Sequence, residues 1–140
     1  MGLKKRVIPN IKVVNDVVYT TREFRLNRVV GELNSIAEYF FHTQADEIIL
    51  CDISKRKNFS LFLKRIKKIS NDFSLPMSVG CSIRTVDMAK KIMDSGADKI
   101  IVSSGLFTCG FDLINKIAKI FGSQSIQISI DFKIKKSNFF

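Results

Sequence analysis

Two carboxylates and several small polar residues stand at the ends of apolar runs in this sequence. Ile126-Gln127-Ile128-Ser129-Ile130 ends in Asp131, and Glu47-Ile48-Ile49-Leu50-Cys51 ends in Asp52. Leu75-Pro76-Met77-Ser78-Val79 ends in Gly80, and Lys99-Ile100-Ile101-Val102 ends in Ser103 and Ser104. Runs this rich in Val, Ile and Leu read as parallel strands buried on both faces. In α/β sheets of parallel strands, reacting groups gather where the strands end. A carboxylate there can give or take a proton, so Asp131 is the first candidate.

The segments between these runs read as helices. Leu33, Ile36, Ala37 and Phe40 recur at helical spacing after Gly31, and Phe59, Phe62, Ile66 and Ile69 form an apolar stripe within a helix over 58–73. Thr85 is placed to cap a third helix, Asp87 suits its first turn, and Gly96 ends it. A fourth helix over 111–121 has Ile114, Ile117, Ala118 and Phe121 inward and stops at Gly122. The first strand falls within 6–14, Asn15-Asp16 marks a turn, and Val17 to Thr20 returns as a short arm. Residues 21–30 read as a loop, and 133–140 show no period. The order βαβαβαβαβ predicts an α/β protein in one domain over 1–140, with four βα units and a fifth parallel strand. Ala45-Asp46-Glu47-Ile48-Ile49 is echoed by Ala97-Asp98-Lys99-Ile100-Ile101, as expected of duplicated βα pairs.

Composition narrows the classes. The chain has 140 residues, 46% of them apolar, and a mean hydropathy of +0.11. Those values suit a globular domain, and no apolar run nears the ~20 residues that span a membrane. The basic start lacks a signal peptide's apolar core, and Cys51, Cys81 and Cys109 have no metal-type spacing. The expectation is a cytoplasmic protein with reduced thiols, no metal and no cofactor. His42 reads as a surface or helix-end residue. The formal charge is +10, densest at Lys55-Arg56-Lys57 and at Lys64, Arg65, Lys67 and Lys68. Around an apolar stripe such charge is read as a solvated helix face, in preference to a nucleic-acid surface.

Five stretches in order carry a family resemblance: Lys5 to Pro9, Ala45 to Ile53, Pro76 to Thr85, Gly96 to Lys99, and Phe121 to Ile126 with Ser129-Ile130-Asp131. Together they resemble the first half of the cyclase subunit of imidazole glycerol phosphate synthase. The resemblance implies a TIM-type (βα) barrel, present here in part. It also implies ammonia-dependent cyclase and lyase chemistry on a phosphorylated ribulosyl nucleotide, with a glutaminase partner supplying the ammonia. The family's two aspartates match Asp131 and position 12, where this chain has Lys12. That lysine either binds phosphate or forms an imine, or else catalysis is lost. Asp52 would support substrate orientation.

The same resemblance places a phosphate at Gly80, Ser82, Ser103 and Ser104, where the family has three glycines and an Asn-Thr pair. Its mobile-loop lysine falls near Tyr19-Thr20. Arg6, Glu47 and Lys99 match the charged ring through which ammonia enters, and Asp98 matches a contact to the glutaminase. The paired charges read equally well as a structural rim. Lys12 and the ending Ser129 to Lys133 look closer to paralogues in surface-polysaccharide amidination. Five parallel strands leave open edges, to be covered by another copy of the chain or by a complementary half-barrel.

Overall fold

Parallel pairing follows chain order without reversal. The computed structural model describes residues 5–55 and 58–132. The strands are β1 (Asn10–Val14), β2 (Val17–Arg22), β3 (Arg25–Glu32), β4 (Ile48–Asp52), β5 (Met77–Gly80), β6 (Lys99–Val102) and β7 (Ile126–Ile128). The helices are α1 (Leu33–His42), α2 (Phe59–Asp72), α3 (Val86–Asp94) and α4 (Ser104–Phe121). The sheet order is β3-β2-β1-β4-β5-β6-β7, with β1, β4, β5, β6 and β7 parallel. Right-handed crossovers that always advance one place leave every helix on the same face. The core confirms this: Ala37, Ile66, Ile92 and Ile117, one from each helix, join Ile11, Leu50, Val79 and Val102 in one cluster.

The expected partial βα barrel, four βα units and a fifth parallel strand, is therefore present. Several local expectations need correction. Residues 21–30 are not a loop: β2 and β3 form a hairpin that extends the sheet beyond β1. The turn Asn15-Asp16 between β1 and β2 and the turn Glu23-Phe24 between β2 and β3 hold both central residues at positive φ, as tight two-residue hairpins require. Glu23-Phe24 has no turn signature, and β3 exposes almost every residue, so no alternation marked it. The strand expected over 6–14 begins at Asn10, and that over 75–79 runs from Met77 to Gly80, because Pro9 and Pro76 donate no ladder hydrogen bond. The fourth helix starts at Ser104, earlier than its stripe suggested, and breaks its helical geometry at Gly110.

The largest correction concerns the last strand. It was expected to be buried through Ile130, yet it ends at Ile128 and forms the sheet's edge. Ile128, Ile130 and Phe132 are 47%, 60% and 80% exposed. An apolar run looks the same in sequence whether or not a neighbour covers it. Residues 133–140, read as lacking a period, lie outside the described residues.

The echoed segments are structurally equivalent. Asp46 N donates to Val7 O at 3.2 Å while its carboxylate accepts from Val7 N at 2.8 Å. Asp98 does the same to Met77, at 2.9 and 2.8 Å. The residue two places earlier turns each helix end at positive φ: Gly96 at +105° and Gln44 at +58°. Gln44 adopts there a conformation that favours glycine. Replacing Gln44→Gly should stabilise the fold by about 0.5–1 kcal/mol, seen as a higher Tm. Gly96→Ala should lower Tm, because a β-carbon there would also overlap the Ser70 side chain. A lower Tm for Gln44→Gly would show that its side chain outweighs the backbone strain.

Candidate functional site

The alternation of strand side chains gives the sheet two unlike faces. Ile48, Leu50, Val79 and Val102 face the helices and are buried. The open face carries two cross-strand rows. The first runs Asn10, Ile49, Ser78 and Lys99, and the second runs Lys12, Cys51 and Gly80. A β-carbon on Gly80 would lie 3.2 Å from Ile101 Cβ and 3.6 Å from Cys51 Sγ, so the glycine lets this floor close up.

At the carboxyl ends of the strands this face opens into a cleft of about 1160 Å³. Lys12, Asp52, Gly80, Ser82, Ser103, Ser104 and Asp131 all line it. Asp131 is exposed and follows β7. Ser82 has positive φ (59°), and Ser103 precedes the first turn of α4, whose backbone N–H groups begin there. The Asp52 carboxylate accepts from Ser54 N at 2.9 Å and from Ser54 Oγ at 2.5 Å. Ser54 Oγ in turn accepts from Asn15 N at 3.2 Å. Asp52 therefore shapes the turn after β4 and links it to the first hairpin turn. Among the described residues no group of three His, Cys, Asp or Glu is arranged to hold a metal.

The hairpin supplies a wall that the sequence reading missed. Glu23, Phe24, Arg25 and Leu26 line the cleft beside Lys55. Leu26 alternating with Arg25 and Asn27 is a weak strand signal, and register shifts in the β2–β3 pairing blur it further. Tyr19 and Thr20 lie on β2. The other end of β2 is anchored at the Asn15-Asp16 turn, where Arg65 on α2 binds Asp16 at 2.8 and 3.0 Å.

The opposite mouth is built on Glu47, which is only 2% exposed. Arg6 reaches it at 3.0 Å and Lys99 at 3.1 Å, and Ser78 Oγ donates to its other oxygen. Burial opposes its ionisation. The hydrogen bonds from Ser78 and Lys99, with the charges of Lys99 and Arg6, outweigh that and hold the carboxyl below its ordinary value of 4.5. Asp98, exposed nearby, uses its carboxylate to fix the start of β5. His42 sits at the end of α1, 3.8 Å from Glu38.

Parallel strands wound one way, helices on one face and polar groups gathered at the carboxyl ends define a partial βα-barrel protein. The chain belongs to the histidine biosynthesis protein family, whose model matches residues 6–139. It is 35% identical over 138 residues to imidazole glycerol phosphate synthase subunit HisF of Francisella philomiragia, covering 98% of this chain and 53% of that protein. A Campylobacter jejuni protein named as subunit hisF2 of the same synthase is 33% identical over 137 residues, covering 98% and 55%. HisF of Dictyoglomus turgidum is 32% identical over 132 residues, covering 94% and 52%. The chain thus spans about half the length of these curated relatives.

The Glu47 geometry sets a pH dependence. Its folded pKa lies below the unfolded value, so its stabilisation is complete above about pH 4.5 and is lost as pH falls through the folded value. Glu47→Gln should cost about 2 kcal/mol at neutral pH, because Lys99 and Arg6 lose a buried counter-charge but can partly rehydrate. Denaturant melts between pH 6 and pH 3 check this. The variant should lose less stability than the parent on acidification, and parallel curves would remove Glu47 from the account.

Proposed function

We propose that this chain is a half-barrel of the imidazole glycerol phosphate synthase cyclase type. Its chemistry would be ammonia-dependent cyclase and lyase chemistry on a phosphorylated ribulosyl nucleotide. The setting is histidine biosynthesis or a related polysaccharide amidination pathway. The observation that carries this reading is the single cleft that gathers Lys12, Asp131, Gly80, Ser82, Ser103 and Ser104 at the carboxyl ends of the strands. In it Asp131 acts as acid or base, and the three serine hydroxyls with the α4 N-terminus hold one phosphate. Asp52 orients the substrate through the turn it fixes. Arg6, Glu47 and Lys99 form the ammonia entrance at the opposite mouth, beside Asp98, where a glutaminase docks.

A second reading has its own support. The edge strand β7, with exposed Ile128, Ile130 and Phe132, calls for a cover. With Lys12 in place of a carboxylate, the chain then serves as a non-catalytic half-barrel that self-associates or docks a glutaminase.

Ring closure and imine formation both move protons, and an acid–base group typically contributes ~10²–10⁴-fold. The isolated chain should therefore show no ammonium-dependent product formation from the ribulosyl intermediate. Lys12→Asp alone should not restore it, because half of the substrate remains unclamped. Lys12→Asp together with a complementary half-barrel should recover turnover, and Asp131→Asn should abolish it. Turnover by the unmodified chain, lost in Asp131→Asn, would make the open half-barrel a competent enzyme and overturn the role given to Lys12.

A further inference from the structure

Two lysines stand on the open face of the sheet, and their surroundings differ. Lys99 is neutralised by Glu47 at 3.1 Å. Lys12, one cross-strand row nearer the cleft, is half-buried, and its ammonium has no ion pair or hydrogen bond among the described residues. Withdrawing an ammonium from water without a counter-charge is unfavourable, so the position favours an anion. Three hydroxyls lie in the same cleft, on Ser82, Ser103 and Ser104, and none of them has a side-chain hydrogen bond among the described residues.

Strand register separates the two groups. Lys12 pairs with Cys51, and Cys51 with Gly80, so the backbone of Lys12 lies two strands from the glycine that precedes Ser82. At ~4.8 Å per strand that is ~10 Å. Backbone groups at Lys12 are committed to ladders with β2 on one side and β4 on the other. Only its ammonium is left to bind a ligand. One ammonium, a point charge with three donors, neutralises a carboxylate by itself, while the serine hydroxyls and the α4 N-terminus supply the several donors that a phosphate takes up.

We infer that Lys12 selects a ligand that carries a carboxylate as well as a phosphate, with the carboxylate on the Lys12 ammonium and the phosphate at the serine end. This rests on the phosphate site proposed above. The ligand class is a phosphorylated sugar acid or a compound of similar span, whose anionic groups lie several bonds apart. Lys12 then sets specificity in the chain, at the position where the related cyclases place a proton-transfer group.

The test is titration calorimetry of the full chain at 0.15 M salt with 6-phosphogluconate and with sorbitol 6-phosphate. These differ at one end, carboxylate against hydroxymethyl. The parent should bind 6-phosphogluconate about tenfold tighter or more. Lys12→Met should erase the difference by weakening 6-phosphogluconate more than sorbitol 6-phosphate, circular dichroism should show the variant folded, and Lys12→Arg should keep part of the preference. If both ligands bind the parent equally, or the preference survives in Lys12→Met, the inference falls and the phosphate site stands. If neither ligand binds, the phosphate site falls and the inference falls with it.

Discussion

One buried carboxylate keeps four strands in step. Glu47 receives Arg6 from the segment before β1, Ser78 from β5 and Lys99 from β6, at the amino end of β4. Removing a charge from water is costly, and only this full set of partners compensates. The cluster therefore fixes relative strand register at one end of the sheet. A one-residue slip would put Asp46 or Ile48 in its place and turn the apolar row of β4 toward the cleft.

That register decides what the other end presents. With Glu47 on the open face, Cys51 must share that face beside Lys12 and Gly80, because strand side chains alternate. The helix-facing row is then continuous and apolar, and it is closed by α1 to α4. The cleft gathers the sequence's polar strand ends because the strands are parallel and their crossovers return each one to the same starting level. The Asp46 and Asp98 clamps repeat at equivalent places and hold β1 and β5 to their neighbours. Charge on one mouth is internally satisfied, whereas Lys12 near the other mouth is not.

How much of this the sequence revealed varied with the kind of signal. Helices α2 and α3 were legible because stripes such as Phe62, Ile66 and Ile69, and caps such as Thr85, depend on local periodicity. The parallel strands β4 and β6 were legible as dense apolar runs. The hairpin was not, because Glu23-Phe24 adopts a positive-φ turn without glycine or asparagine and β3 is exposed on both faces. Burial of β7 was misread, since composition does not reveal whether a strand has a second neighbour. Asp52, Gly80, Ser103, Ser104 and Asp131 were legible as the ends of apolar runs, whereas Lys12 and Ser82 were placed by family resemblance. Nothing local tells that Ser78 would donate to Glu47, or that Asp52 would turn to Ser54.

The central claim is that the described strands form one part of a barrel sheet in which β7 is an open edge. Hydrogen exchange of the backbone amides tests it most directly, because unpaired edges open at low cost while central strands open only with the whole domain. In the isolated chain, the amides of β4, β5 and β6 should exchange slowly and those of Gln127 and Ile128 quickly, and adding a complementary half-barrel should slow the β7 amides selectively. Protection of β7 equal to that of β5 in a dispersed monomer, unchanged by the added half-barrel, would contradict the account.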